Sequence, residues 1–395
     1  MSARQSTGTE VCCRFEDRLA GAALEMRQPL AHITAASPEE LPDALDRIRA
    51  AQSQGNWIAL ALDYELGLWL DPAFDSLPNR TREGSPALSA WVFAQACETV
   101  PWGPPEAAGD IRLSRIPGIA QEDYLKTVSA LRERMARGDF YQVNYTFPLH
   151  VRSNATPERL YRAIASRHPV AHGVYFEDAH RTIASFSPEL FVTRRGDRLT
   201  VRPMKGTAPR HADPGRDRLQ AEALQASTKN RAENLMIVDL LRNDLGRIAV
   251  PGSVRVDTLF SLEKYPSVWT LTSTISARQS RDYSLLELLA ALFPCGSITG
   301  APKVAAMHAI AQSEPHPRGI YCGSLGWLAP GGDFSLNVAI RTLELARDDG
   351  AGGASGTFGV GGGIVMDSDP AQEWEECLWK ARILDLDGAQ ASSSW

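Results

Sequence analysis

Short apolar runs with strand character follow one another through most of the chain, mostly without a regular helix between them. Trp57–Leu62 is one continuous apolar run, and Tyr141, Val143, Tyr145 and Phe147 alternate with period two. Stretches 184–194 and 198–204 flank a Gly196-Asp197 turn, and 319–327, 334–345 and the Gly-rich 357–365 also read as strands. A doubly wound parallel sheet needs a crossover helix after nearly every strand, so this order predicts an α+β fold. The helical pattern is confined to a few places. Leu125, Val128, Leu131 and Met135 recur at helical spacing before Gly138, and 231–248 is apolar on nearly all sides, predicting a helix buried all round. Asp369 is placed to cap a helix over 369–384 with Pro370 in its first turn. The Pro/Gly-rich stretch 101–109 divides a first region, 1–110, from a regular region, 120–385, and 348–356 reads as a flexible loop.

Charge and cysteine usage narrow the function. Lys and Arg total 41 against 47 Asp and Glu, a net charge of −6. That balance argues against nucleic acid as a partner but leaves room for a small anion in a locally positive site. The six cysteines form no CxxC pair, which predicts a reducing cytoplasm rather than a disulfide framework. No signal peptide is expected, and no apolar run is long enough for a membrane-spanning helix.

Three carboxylates invite a metal. Glu233 sits among Leu235, Met236, Ile237 and Val238, where a charge needs a partner: either Arg231 or Arg242, or a cation. Glu373 and Glu376 are three apart and share a helix face, which is equally the pattern of a solvated face. If the two helices converge, an all-oxygen ligand set favours magnesium over zinc. Glu189 and Lys205 lie on either side of the Gly196-Asp197 turn. A three-residue loop would set them opposite each other; a two-residue turn would put them on different faces. Gly296–Lys303 (GSITGAPK) opens a helix and could aim N–H groups at an anion, although its glycine spacing is not that of a P-loop.

Taken in order, GDFYQVNYT (138–146), SFSPELF (185–191), RPMKGTAPR (202–210), AENLMIVDLLRNDLGRIA (232–249), GSITGAPK (296–303), RGIYCGSLGW (318–327), NVAIRT (337–342) and GGGIVMDSDPAQEWEE (361–376) resemble the chorismate-utilising enzymes. YELG at 64–67 resembles an element of that family's N-terminal part. The resemblance implies an α+β fold with two antiparallel sheets packed face to face and flanked by helices. It implies that Glu233 and Glu373 ligate magnesium, with Glu376 acting through water, and that the metal holds the ring carboxylate of chorismate. Glu189 would be the general acid for the departing 4-hydroxyl. Tyr321 and Arg341 would hold the enolpyruvyl carboxylate, while Thr299, Gly361, Gly362, Gly363 and Lys380 would line the ring end.

Two positions discriminate within the family. Isochorismate and salicylate synthases carry a lysine base where this chain has Gln142, which disfavours water as nucleophile. Anthranilate synthases carry Ala at the position of Lys205, whereas a lysine marks the aminodeoxychorismate synthases and is thought to attack C2. The resemblance therefore implies amination of chorismate to 4-amino-4-deoxychorismate, toward 4-aminobenzoate and folate. Ammonia would come from a glutamine amidotransferase subunit, since no triad for glutamine hydrolysis is evident. An anthranilate synthase large subunit and a catalytically weak glutaminase-binding homologue stand as alternatives. Departures from the pattern are Met204 for Ile, Cys295 for Gly, Thr270 for His, and Asn230 for an acid. For such a family the N-terminal part is short, and no fused lyase is expected after Trp395.

Overall fold

The computed structural model describes residues 11–386 except 79, 82–84, 107, 179–180, 266–267, 281–282 and 347–352. The predicted 348–356 loop thus lies largely outside the described residues; its end, from Ala354, already belongs to a strand. The helices are α1 (Leu41–Ser53), α2 (Gln121–Ala136), α3 (Pro157–Arg167), α4 (Pro214–Ala226), α5 (Thr228–Gly246), α6 (Leu285–Leu292), α7 (Lys303–Ser313) and α8 (Pro370–Lys380).

Among the described residues eighteen strands pair antiparallel in one connected ladder: fifteen lie along its two halves, and Met204–Pro209, Arg255–Lys264 and Gly300–Ala301 pair beside Val268–Arg278 and Gln142–Ser153. One half runs from Leu113–Pro117 through Gln142–Ser153, Ala354–Val365, Thr342–Ala346, Arg181–Ser187 and His172–Glu177 to Cys12–Asp17. The other runs from Ala22–Ala35 through Leu88–Thr99, Trp57–Leu62, Ser324–Leu328, Phe334–Asn337, Leu190–Arg195 and Arg198–Arg202 to Val268–Arg278. The hairpin of Cys12–Asp17 with Ala22–Ala35 joins the halves. The α+β expectation is met, and the two expected layers are one ladder folded over at this hairpin. Because Cys12–Asp17 and Trp57–Leu62 pair with strands of the 120–385 region, the 101–109 stretch connects parts of one ladder.

Period-two alternation explains both faces. Ala59 and Ala61 meet Val174, Phe176 and Ile183 between the layers, while Ile58, Leu60 and Leu62 enter the larger core under the helices. The small alanines let the two layers approach. Outside, Trp374 of α8 stacks on Phe147 with ring centroids 4.9 Å apart, and Tyr124 of α2 packs edge-on against Phe147. These contacts hold α8 against the Gln142–Ser153 strand, next to the Gly-rich one.

Two expectations need correction. The 231–248 helix is not buried all round: α5 buries Ile237, Val238, Leu241 and Leu245 on the sheet, but Leu235 is 43% exposed. The period-two alternation from Tyr141 to Phe147, which suits a half-buried strand, does not mark one: the strand is covered on both faces from Gln142 through Phe147, while Arg318 and Glu314 satisfy the Asn144 carbonyl and the Thr146 N–H along its edge.

Candidate active site

The hairpin around Gly196-Asp197 takes the two-residue register: Arg198 pairs with Arg195, Leu199 with Arg194 and Thr200 with Thr193, after which the ladder slips. The three-residue register that would set Glu189 directly opposite Lys205 is absent. The two meet by another route. Pro188 and Glu189 lie between Arg181–Ser187, which belongs to one layer, and Leu190–Arg195, which belongs to the other. Glu189 therefore stands at the point where the chain crosses between layers. Lys205 and Gly206 fall in a register shift between Met204 and Thr207, a bulge that re-aims the lysine. Gly206 has φ +90° there, and its carbonyl accepts from Thr270 Oγ1 at 3.1 Å. Thr270 is thus a support for the lysine bulge and does not line the cavity.

Glu189 and Lys205 line one cavity of about 330 Å³, together with Lys229, Glu233, Ser297, Tyr321, Arg341, Gly361, Gly363, Glu373, Glu376 and Lys380. Such a volume suits a small molecule. Burial pushes the Glu189 carboxyl above its usual range, against the Ser297 hydroxyl, Lys205, the Met204 N–H and Arg341, which favour its anion. Burial likewise pulls the Lys205 amine below its usual range, aided by Lys380 and opposed by Glu189. Each environment favours the neutral form of its residue, the pair needed for an acid beside a nucleophilic amine.

The acidic residues converge from α5 and α8. Arg231 lies over the Phe260 ring and Arg242 pairs with Asp239, so neither is the partner of Glu233. Burial raises the Glu233 carboxyl, with Lys205 and Lys229 opposing and Glu376 reinforcing. Burial also raises Glu373, which accepts from Ser368 Oγ at 2.7 Å. Glu376 is instead held low by Lys380, whose Nζ lies 2.8 Å away and also donates to the Gly361 carbonyl at 2.7 Å. Among the described residues no group of three His, Cys, Asp or Glu side chains is close enough to hold a metal. Glu233 and Glu373 still offer oxygen donors to a hard cation in a cavity where burial penalises their charge, and Glu376, committed to Lys380, suits an indirect role.

The other predicted residues divide. Tyr321 and Arg341 line the cavity; Arg341 adopts φ +51°, and burial pulls its guanidinium below its usual range. Gly361 and Gly363 line it directly, while a Cβ on Gly362 would come within 3.1 Å of Glu373 Oε2. A Cβ on Gly363 would meet the Gln142 amide at 2.5 Å and Lys205 Nζ at 3.4 Å, so these glycines let charged groups close on the backbone. Thr299 is not brought to the cavity: its fully buried hydroxyl donates to the Cys295 carbonyl. Lys303 belongs to the packing, pairing with Asp244 at 2.7 Å, and the turn reaches the cavity through Ser297 and Ile298 instead. Ser297, Asn144 and Lys229 line the cavity without having been singled out. Ser297 lay inside the quoted GSITGAPK segment, where a serine beside glycines carries only a turn signal.

Residues 25–385 match the family model for chorismate binding enzymes. The chain is 39% identical over 301 residues to aminodeoxychorismate synthase component 1 of Klebsiella aerogenes, covering 75% of this chain and 64% of that one. It is 38% identical over 267 residues to anthranilate synthase component 1 of Streptomyces coelicolor, covering 67% and 51%. It thus spans less than two thirds of the length of either relative. Anthranilate synthase component I from Streptococcus pneumoniae shares the fold, with a TM-score of 0.77 at 22% identity over 97% of this chain and 93% of that one. The chain belongs to the chorismate-binding enzymes.

Proposed function

We propose that this protein aminates chorismate at C4, giving 4-amino-4-deoxychorismate for 4-aminobenzoate and folate synthesis in the cytoplasm, with ammonia delivered by a glutamine amidotransferase partner. The observation that carries the reading is Lys205, re-aimed by its bulge into the same cavity as Glu189. The anthranilate synthase pattern carries Ala at that position.

Lys205 in its neutral form attacks C2 while Glu189 gives its proton to the departing 4-hydroxyl, which leaves as water. The N–C2 bond forms, the ring double bonds shift, and the C4–O bond breaks. Ammonia then bonds to C4, the double bonds shift back, and the Lys205–C2 bond breaks. Proton transfers return Lys205 and Glu189 to their starting forms, so chorismate and ammonia become the amino product and water. Glu233 and Glu373 would hold magnesium, which supplies charge neutralisation at the ring carboxylate. Tyr321 and Arg341 would bind the enolpyruvyl carboxylate. Gln142, within reach of Lys205 across Gly363, has no basic nitrogen to activate water.

Incubating the purified chain with chorismate, an ammonium salt and magnesium tests the reading. The expected product co-elutes with 4-amino-4-deoxychorismate; anthranilate or isochorismate as the main product would reject it.

A further inference from the structure

Glu189 Oε1 is already occupied. It accepts from Ser297 Oγ at 2.7 Å and from the Met204 N–H at 3.4 Å. Ser297 has one proton and spends it on this bond, so toward Cys295 Sγ, 3.3 Å away, it can only accept, and the thiol donates. All three side chains are deeply buried, with Glu189 3%, Ser297 4% and Cys295 5% exposed. The result is a directed chain, Cys295 to Ser297 to Glu189.

From this chain we propose that Ser297 is a positioning residue that keeps Glu189 Oε1 as an acceptor and so places the transferable proton on Oε2, with Cys295 orienting the Ser297 hydroxyl. The inference rests on Glu189 acting as the acid of the amination reading. A carboxyl group accepting two hydrogen bonds on one oxygen carries its own proton on the other. Without Ser297 the proton could sit on either oxygen, and the group could turn. Cys295 occupies a position where the family resemblance has glycine, so the outer member of the chain is a feature of this protein. The other ionisable groups facing Glu189 are Lys205, Arg341 and Tyr265, none of which is substituted in the variants below.

The test combines kinetics with an infrared titration of the Glu189 carboxyl band, assigned by its loss in Glu189→Gln. In Ser297→Ala, kcat with chorismate, ammonium and magnesium should fall about tenfold, one hydrogen bond's share of a general acid's contribution, with KM unchanged. The carboxyl midpoint should move to higher pH, because a donor to the anion has been lost. The limb of the pH–rate profile that reports Glu189 should move with it. Ser297→Thr, which keeps the hydroxyl, should restore the midpoint, and Cys295→Gly should give a smaller change in the same direction. An unmoved midpoint in Ser297→Ala overturns the proposal, even if kcat falls, because a merely structural role would do that. A shifted midpoint in a protein whose product is not the 4-amino compound sustains the placement of the proton and overturns only the amination reading.

Discussion

The ring of Tyr321 lies directly on Gly359: a Cβ built on that glycine would fall 2.1 Å from the tyrosine Cγ. Only a residue without a side chain leaves the ring where it lines the cavity. Gly359→Ala should therefore push Tyr321 aside, raising KM for chorismate more than it lowers kcat. The overpacking should also destabilise the fold by about 1–3 kcal/mol. Steady-state kinetics together with urea unfolding check this, and an unchanged KM would remove Tyr321 from the binding surface.

Glu233 and Glu373 are the proposed magnesium ligands. Glu233→Gln and Glu373→Gln should each abolish magnesium-dependent turnover while the circular dichroism spectrum stays that of the wild type. Magnesium binding followed by calorimetry should weaken in parallel. Full activity of Glu233→Gln at limiting magnesium would show the metal assignment to be wrong.

Glu65 carries a pH dependence of stability. Its carboxyl accepts the Arg318 and Gly319 N–H groups at 2.7 and 3.1 Å. Burial, reinforced by Asp63, pushes it up to about 8 from an ordinary 4.5. A raised folded value means that the folded protein holds the extra proton. This contribution is therefore complete below the unfolded value of 4.5 and is lost as pH rises through about 8. The wild-type Tm should fall as pH rises from 4.5 to about 8 and level off above it, and Glu65→Gln, which has no proton to lose, should show a flatter curve from a lower start. Parallel curves would mean that Glu65 is ionised throughout.

Partner dependence is tested with the single chain. It should turn over with ammonium salts and fail with glutamine. Glutamine-dependent product from the pure chain would remove the need for an amidotransferase.

How much of this was legible in the sequence follows from the range of the forces involved. Period-two alternation is local, so the strands could be read directly, and the alanines of Trp57–Leu62 already separate its two faces. Register is not local. The crossing of the chain between layers at Pro188-Glu189 and the bulge at Lys205-Gly206 depend on pairing with Phe334–Asn337 and Val268–Arg278, far along the chain. The hairpin arithmetic therefore left the Glu189–Lys205 relationship open. The Gly-rich turn before α7 left its role open, because such a turn looks alike whether its lysine meets a ligand or, as here, Asp244. The carboxylates of α5 and α8 were visible as residues, and the i,i+4 pairing of Glu376 with Lys380 is local to α8, but the approach of Glu233 to Glu373 exists only once both helices are in place.

The proposed reaction turns on a bond between Lys205 and the substrate. Its amine must be neutral to attack, and burial moves it toward that state, so the rate should fall as pH drops and the lysine is held protonated. Lys205→Arg should be nearly inactive, because guanidinium keeps its charge. Lys205→Ala should be rescued only as far as ammonia attacks C2 directly. Intact-protein mass spectrometry after mixing with chorismate and magnesium, with ammonia withheld, is the most direct measurement. The account predicts an adduct of chorismate less one water, mapped to Lys205. No adduct under conditions that support turnover once ammonia is added, or an adduct on any other residue, would contradict it.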